Sequence, residues 1–196
     1  DFDLDSLGFD DRELQKLLSD DAELERAEET PEAPVNPVSI EGDVWILDKH
    51  RIICGSSTDA DTVAKVLNGV EPHLMVTDPP YGVNYDPSWR NDRDKARGMK
   101  IAIAQGKVEN DDKADWTDAW ALFPGSVAYV WHGGLHSATV AQSLVTAGFD
   151  MRSQIIWAKH GFPISRGDYH WQHEPCWYAV RGKGNWAGDR KQSTLW

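Results

Sequence analysis

The chain has 196 residues, with 20 basic and 32 acidic side chains and a formal net charge of −12, a length that allows one ordinary domain with a core of its own and a short appendage. Its two cysteines, Cys54 and Cys176, exclude a disulfide framework and any Cys-x-x-Cys metal spacing, which points to a reducing, cytoplasmic compartment. With no signal-peptide pattern and no apolar stretch long enough to span a bilayer, a soluble protein without a membrane partner is expected.

The charge is unevenly spread. Residues 1–32 hold 13 acidic and 3 basic residues, whereas residues 33–196 hold 19 acidic and 17 basic ones. The body is therefore close to neutral and can carry a local basic stripe. The chain opens on Asp1 rather than Met, which fits a processed or excerpted polypeptide. Leu14, Leu17, Leu18 and Leu24 recur near helical spacing behind an Asp-rich start, predicting a short acidic helical tail over 1–29. "TPEAPVNPVS" follows with three prolines in ten residues and reads as a linker over 30–39.

From residue 40 the pattern alternates. "DVWIL" and "HRIICG" read as strands around a turn at Asp48–Lys49; "DADTVAKVLNG" reads as a helix capped by Thr58 or Asp59 and ended by Gly69; "HLMVTD" reads as a buried strand. A polar segment from Asp86 to about Asp115 is too long for an ordinary connection and reads as a functional loop. A helix over "ADWTDAWALF", a strand "SVAYVWH", a helix "LHSATVAQSLVTAG" and a strand "MRSQIIWAK" continue the alternation and predict an α/β sheet with parallel strands. "HEPCWYAVRG" is a further strand expected to return antiparallel to "SQIIWAK", because no crossover helix separates them. Asp78, His132 and Lys159 then fall at C-terminal strand ends, where open α/β sheets bind ligands. His132 and Lys159 read equally as polar residues where the chain leaves the core.

"VTDPPYGV" carries the chemistry. Prolines fix φ and supply no N–H, so their carbonyl oxygens stand as acceptors in fixed directions. Asp78 adds a carboxylate, and Tyr81 a flat ring against which another ring can stack. Asp78, Pro79, Pro80 and Tyr81 thus suit an exocyclic amine on an aromatic ring. Hydrogen bonds from both N–H groups to Asp78 and the Pro79 carbonyl would make the nitrogen more tetrahedral and free its lone pair. Spacing alone equally allows an Asp-Pro turn ending a strand, followed by a structural tyrosine.

With its flanking blocks the motif resembles a known family. "GDVWILDKHRIICGSSTD", "HLMVTDPPYGVNYD", "VAYVWHG", "IIWAK" and "SRGDYHWQHEPCWYAVRGKGNWAGDRKQSTLW" together are similar to site-specific DNA amino-methyltransferases linked to ParB-like modules in phages and bacteria, over about residues 40–196. The resemblance implies methyl transfer from S-adenosylmethionine to the N6 amine of an adenine flipped out of double-stranded DNA. It implies catalytic roles for Asp78, Pro79, Pro80 and Tyr81, and cofactor contacts from Ser56, Asp78 and Tyr81. Aspartate at the head of the motif favours adenine over cytosine N4. For DNA, the polar loop offers Trp89 as a stacking or wedging residue and Arg90, Arg93, Lys95, Arg97 and Lys100 for phosphates, joined by His132 and Lys159.

One expected element is missing: a Gly-rich F-x-G-x-G turn for the methionine part of the cofactor. "RGKGNWAG", with Gly182, Gly184 and Gly188, follows an antiparallel strand and opens no helix. The expected fold is therefore an incomplete Rossmann-like methyltransferase sheet, the catalytic half without its Gly-rich first strand region, plus an antiparallel C-terminal hairpin. It would be completed by a further C-terminal half, a complementary chain or a second copy, and inactive by itself. The departure "CGSSTD", where relatives have Gly-Asp, weakens the role of Ser56. His170, His173 and Cys176 in "HWQHEPC" have a metal-like spacing, but residues three apart on a strand point to opposite faces, so no metal is expected. Trp131, Trp157 and Trp177 on strands are expected as core or pocket walls. Methylation of RNA or a protein amide, and a non-catalytic DNA-binding module, are the rival readings.

Overall fold

The computed structural model describes residues 35–86, 107–161, 168–184, 186 and 188–196, and the chain divides into two units, Asp1–Glu41 and Gly42–Trp196. In the first unit the described residues 35–41 form neither helix nor strand. The sequence calls on Trp89, Arg90, Arg93, Lys95, Arg97 and Lys100 lie outside the described residues.

The second unit begins with a hairpin of β1 (Val44–Leu47) and β2 (His50–Ile53). Its turn residue Asp48 takes φ 55, a left-handed conformation that aspartate tolerates. This hairpin is a separate two-stranded sheet, which corrects the expectation that it continues the main alternation; among the described residues its strands pair with each other and with no other strand. Helix α1 (Ala60–Leu67) starts at Asp59, whose side chain accepts the Thr62 N–H at 2.8 Å, and ends at Asn68 in the left-handed region. Arg51 of β2 donates to the carbonyls of Val66 (2.9 Å) and Lys65 (3.2 Å). Its charge therefore sits where the last helical carbonyls lack partners.

The main sheet contains β3 (Leu74–Thr77), β4 (Val127–Trp131), β5 (Asp150–Ala158) and β6 (His173–Val180) in the order β3-β4-β6-β5. β3 and β4 are parallel, and β6 runs antiparallel to both neighbours. The antiparallel C-terminal hairpin expected from the missing crossover helix is present. Because β6 inserts between β4 and β5, the sheet is mixed rather than wholly parallel.

The two sheet edges differ. The outer edge of β5 is closed by Ile156 N–H to Thr194 O (2.7 Å), Trp196 N–H to Ile156 O (2.9 Å) and Ala158 N–H to Trp196 O (2.7 Å). Among the described residues no strand covers the outer edge of β3, where Val76 is 65% exposed.

Helices α2 (Thr117–Leu122) and α3 (Ser137–Thr146) cover one face. Trp116, Trp120, Phe123, Val140, Leu144 and Phe149 pack there against Ala128, Val130 and Ala179 of the sheet. Sequence alternation explains the choice of face: alternate residues of β4 point one way, while Tyr129 and Trp131 point to the other. On that opposite face Tyr129 stacks on Tyr178 with centroids 5.0 Å apart, and Trp131 meets Trp157 edge-on at 6.4 Å. Trp157, expected as core or pocket wall, is 49% exposed because β5 lies at the sheet margin.

Arg181 ties the two helices to the end of β6. It donates to Phe123 O (2.8 Å), Trp120 O (3.1 Å) and Ala147 O (2.8 Å), and its guanidinium carbon lies 4.2 Å from the Phe149 ring centroid. One cation thus serves carbonyls at the C-terminal ends of both α2 and α3, where helix dipoles favour positive charge. Burial lowers its pKa from the usual arginine value.

Candidate active site

Asp78, His132 and Lys159 each follow the last residue of a co-directional strand, β3, β4 and β5 respectively, so all three stand at one end of the sheet. After Thr77 the Pro79–Pro80 step keeps the chain from continuing as strand. The two proline carbonyls have different fates. Pro80 O accepts the indole N–H of Trp116 at 3.1 Å and is used structurally. Among the described residues no donor reaches Pro79 O.

Tyr81 lies beside Asp78. Burial, then a hydrogen bond to the Asp78 carboxylate and its negative charge, raise the Tyr81 phenol well above its ordinary value, with Glu174 and Cys176 acting in the same direction. The hydroxyl is therefore a firm donor at neutral pH, and it occupies part of the Asp78 acceptor capacity. The Tyr81 side chain packs on Gly133: a Cβ there would lie 3.5 Å from Tyr81 Cβ and Cδ2. The neighbouring Gly134 seats a second ring. A Cβ on Gly134 would fall 2.5 Å from Trp171 Cζ3, closer than packing permits. The Gly-Gly step after β4 thus carries two aromatic side chains from distant parts of the sequence, and Trp171 is 45% exposed.

Asp111 shapes the turn after Pro80. It is 3% exposed, yet Oδ1 accepts Gly82 N–H (2.8 Å) and Val83 N–H (3.2 Å), and Oδ2 accepts Tyr85 N–H (2.7 Å). Burial works to raise its pKa, but the N–H groups of Tyr85, Val83, Gly82 and Tyr81 outweigh it and hold the carboxyl below its usual value. Each hydrogen bond to a charged group contributes about 1.5–3 kcal/mol, so several together outweigh the burial. Gly82 has φ 78, and a Cβ on it would lie 2.8 Å from the Lys113 carbonyl carbon and 2.9 Å from Ala114 N. Only glycine fits there, by conformation and by space.

Several expectations need correction. His132, expected to face DNA, is 1% exposed. Its Nδ1–H donates to Val130 O (3.1 Å), while Nε2 faces Ser137 Oγ (3.2 Å) and the Gln154 amide (3.3 Å). Its ring stacks on Trp177 at 5.6 Å. Burial lowers its pKa, although the Val130 contact and the Glu174 charge oppose this. It is a neutral ring joining β4, α3 and β5.

Lys159 is ion-paired with Glu174 and lies 5.8 Å from the Trp157 ring centroid, so its charge is already engaged. Ser56 Oγ is within 2.8 Å of Thr58 Oγ1 and accepts the Thr58 N–H at 3.2 Å, a local turn before α1. Its neighbour Ser57 lines a cavity instead.

That cavity, about 360 Å³, lies between α1, β3 and α2 and includes Ser57, Leu67, Val76, Pro79, Pro80 and Trp116. It is apolar and borders the Pro-Pro step directly. Among the described residues no charged side chain lines it. The glycines Gly182 and Gly184 follow the C-terminal end of β6, at the opposite end of the sheet from Asp78.

Cys176 is buried, and burial pushes its thiol up to about 12, resisted by a hydrogen bond at Val130 and reinforced by the Asp78 charge. It is a neutral thiol rather than a nucleophile. Among the described residues no group of three or more His, Cys, Asp or Glu is placed to hold a metal ion, and no helix is long and apolar enough to cross a membrane.

Asp111, Trp116, Gly133, Gly134 and Trp171 escaped sequence reasoning. Asp111 sits in "ENDDKADW" among other acids, and composition does not say which carboxylate turns inward.

Comparison with curated proteins returned no match. Among solved structures the chain is similar to the M1.HpyAVI-SAM complex, with 17% identity over 69% of this chain and 58% of that one and a TM-score of 0.42. A second structure, of M1.HpyAVI, shows 19% identity over the same shares and a TM-score of 0.41. The chain thus spans 58% of the length of these solved structures. Residues 1–40 match the family model described as the ParB-methyltransferase HTH domain.

Proposed function

We propose that residues 40–196 are the base-holding half of an S-adenosylmethionine-dependent DNA methyltransferase acting on the N6 amine of a flipped adenine. The observation that carries this reading is the turn at the end of β3: Asp78 acts on the neighbouring Tyr81 phenol, the Pro79 carbonyl meets no donor among the described residues, and Tyr81 is seated on Gly133. Support also comes from the N-terminal match to a domain named for ParB-methyltransferases.

In this reading one amine N–H donates to Asp78 and the other to Pro79 O. Both bonds favour a nitrogen whose lone pair points away from the ring. Tyr81 stands beside the Asp78 carboxylate, which helps raise its phenol pKa. The exposed Trp171 ring borders the site and helps exclude water. Burial, which pushes the Cys176 thiol up to about 12, argues against that thiol as a nucleophile. S-adenosylmethionine, when bound, supplies the methyl group; the apolar cavity at Pro79–Pro80 would take its adenosyl part.

The open edge of β3 and the uncharged cavity support the need for a complementing half, from the same polypeptide or a partner chain. The test is methyl transfer from labelled cofactor to duplex DNA by the longest polypeptide the gene encodes, with nucleoside analysis of the product. N6-methyladenine is the expected product. 4-Methylcytosine would replace adenine by cytosine as the target, and no DNA label at all would remove the reading.

A further inference from the structure

Residues 111–116 touch the Asp78–Tyr85 turn in three independent ways. The Asp111 carboxylate gathers the N–H groups of Gly82, Val83 and Tyr85. The Lys113–Ala114 peptide lies directly under Gly82, leaving no room for a Cβ. The Trp116 indole donates to Pro80 O. A fourth contact runs between backbones, with Asn84 N–H donating to Asp111 O at 2.7 Å.

We propose that residues 111–116 are the mould of the site and that Asp111 is its positioning residue, acting through the backbone of residues 80–85 to set Tyr81 against Asp78 and to leave Pro79 O open. Its functional consequence rests on the reading of Asp78–Tyr81 as an amine-holding element, and its structural core does not. The chemistry requires both oxygens. Oδ1 serves Gly82 and Val83 while Oδ2 serves Tyr85, so asparagine, with one oxygen and one NH2, meets at least one backbone N–H donor to donor. Asp111→Asn is close in size and removes the device without opening a cavity. Trp116→Phe keeps an aromatic ring and removes only the Pro80 contact.

The experiment compares the full chain with Asp111→Asn, Trp116→Phe and Arg181→Met. Arg181 lies at the opposite end of the sheet and serves as a control for general loss of stability. Two readouts follow the positioning itself. Amide hydrogen exchange at Gly82, Val83 and Tyr85 should accelerate by about tenfold or more in Asp111→Asn. The Tyr81 phenol, isolated by difference against Tyr81→Phe, should titrate at lower pH in Asp111→Asn than in the parent, and at an intermediate pH in Trp116→Phe. Arg181→Met should lower Tm while leaving the phenol titration in place.

A third readout, fluorescence of 2-aminopurine at the target position of duplex DNA, should rise with the parent polypeptide and not with Asp111→Asn. If Asp111→Asn keeps the parent phenol titration, or Arg181→Met shifts it equally, the proposal is overturned. If the phenol moves as expected while 2-aminopurine stays silent with the parent, the positioning role stands and the DNA reading is what fails.

Discussion

At the residue scale, the decisive balance is that of Asp111. A carboxylate taken out of water loses several kcal/mol of hydration, and among the described residues Asp111 recovers this from backbone N–H groups. Because its folded pKa lies below the ordinary value, its stabilisation is complete above the unfolded carboxylate value of about 4 and is lost as pH falls through the folded value. Urea midpoints measured from pH 7 down to about pH 3 should therefore drop less steeply in Asp111→Asn than in the parent. Equal slopes would show that Asp111 carries no such linkage. Asp78 and the prolines stood out in the sequence because two adjacent prolines broke an apolar run directly after a carboxylate. Asp111 did not, because an acid in an acidic stretch announces nothing until the chain folds back. His132 illustrates the converse: its place at a strand end was legible, but its burial depends on Ser137, Gln154 and Trp177, which no local pattern links to it.

At the element scale, Arg181 joins the ends of α2 and α3 to β6. Arg181→Met would leave three carbonyls to find other donors, at about 1 kcal/mol each. We expect a loss of roughly 3 kcal/mol in chemical denaturation, with the secondary structure retained at low denaturant. Helix α1 is the opposite case. Its caps, Asp59 and Asn68–Gly69, were legible from the sequence, and its apolar residues recur at helical spacing, yet none of its residues is buried. Val63 and Leu67 line a cavity shared with β3 rather than a filled core. Amides of α1 and β3 should therefore exchange faster than those of β4, β5 and β6. Uniform protection across these elements would contradict the view of an open edge. The β5–β6 hairpin was legible from the absence of a crossover helix. Insertion of β6 between β4 and β5 was not, because strand order is decided by long-range pairing and local pattern gives only strand identity.

At the scale of the whole molecule, the described residues form a two-stranded hairpin and a four-stranded main sheet whose β5 edge is closed and whose β3 edge no described strand covers, and the candidate site lies at the C-terminal end of β3. The acceptors for an amine, the aromatic seats and the mould behind them are built from residues 78–85, 111–116, 133–134 and 171. The apolar cavity beside them is uncharged. This arrangement is what the proposed function draws on. Its central claim concerns Asp78 and is tested most directly by single-turnover methyl transfer to adenine-containing duplex DNA, using the full polypeptide and its Asp78→Ala variant at equal DNA occupancy. Removing an acceptor that acts in the transition state should lower the rate by about a hundredfold or more while leaving DNA affinity nearly unchanged. A variant that methylates adenine at the parent rate would contradict the account.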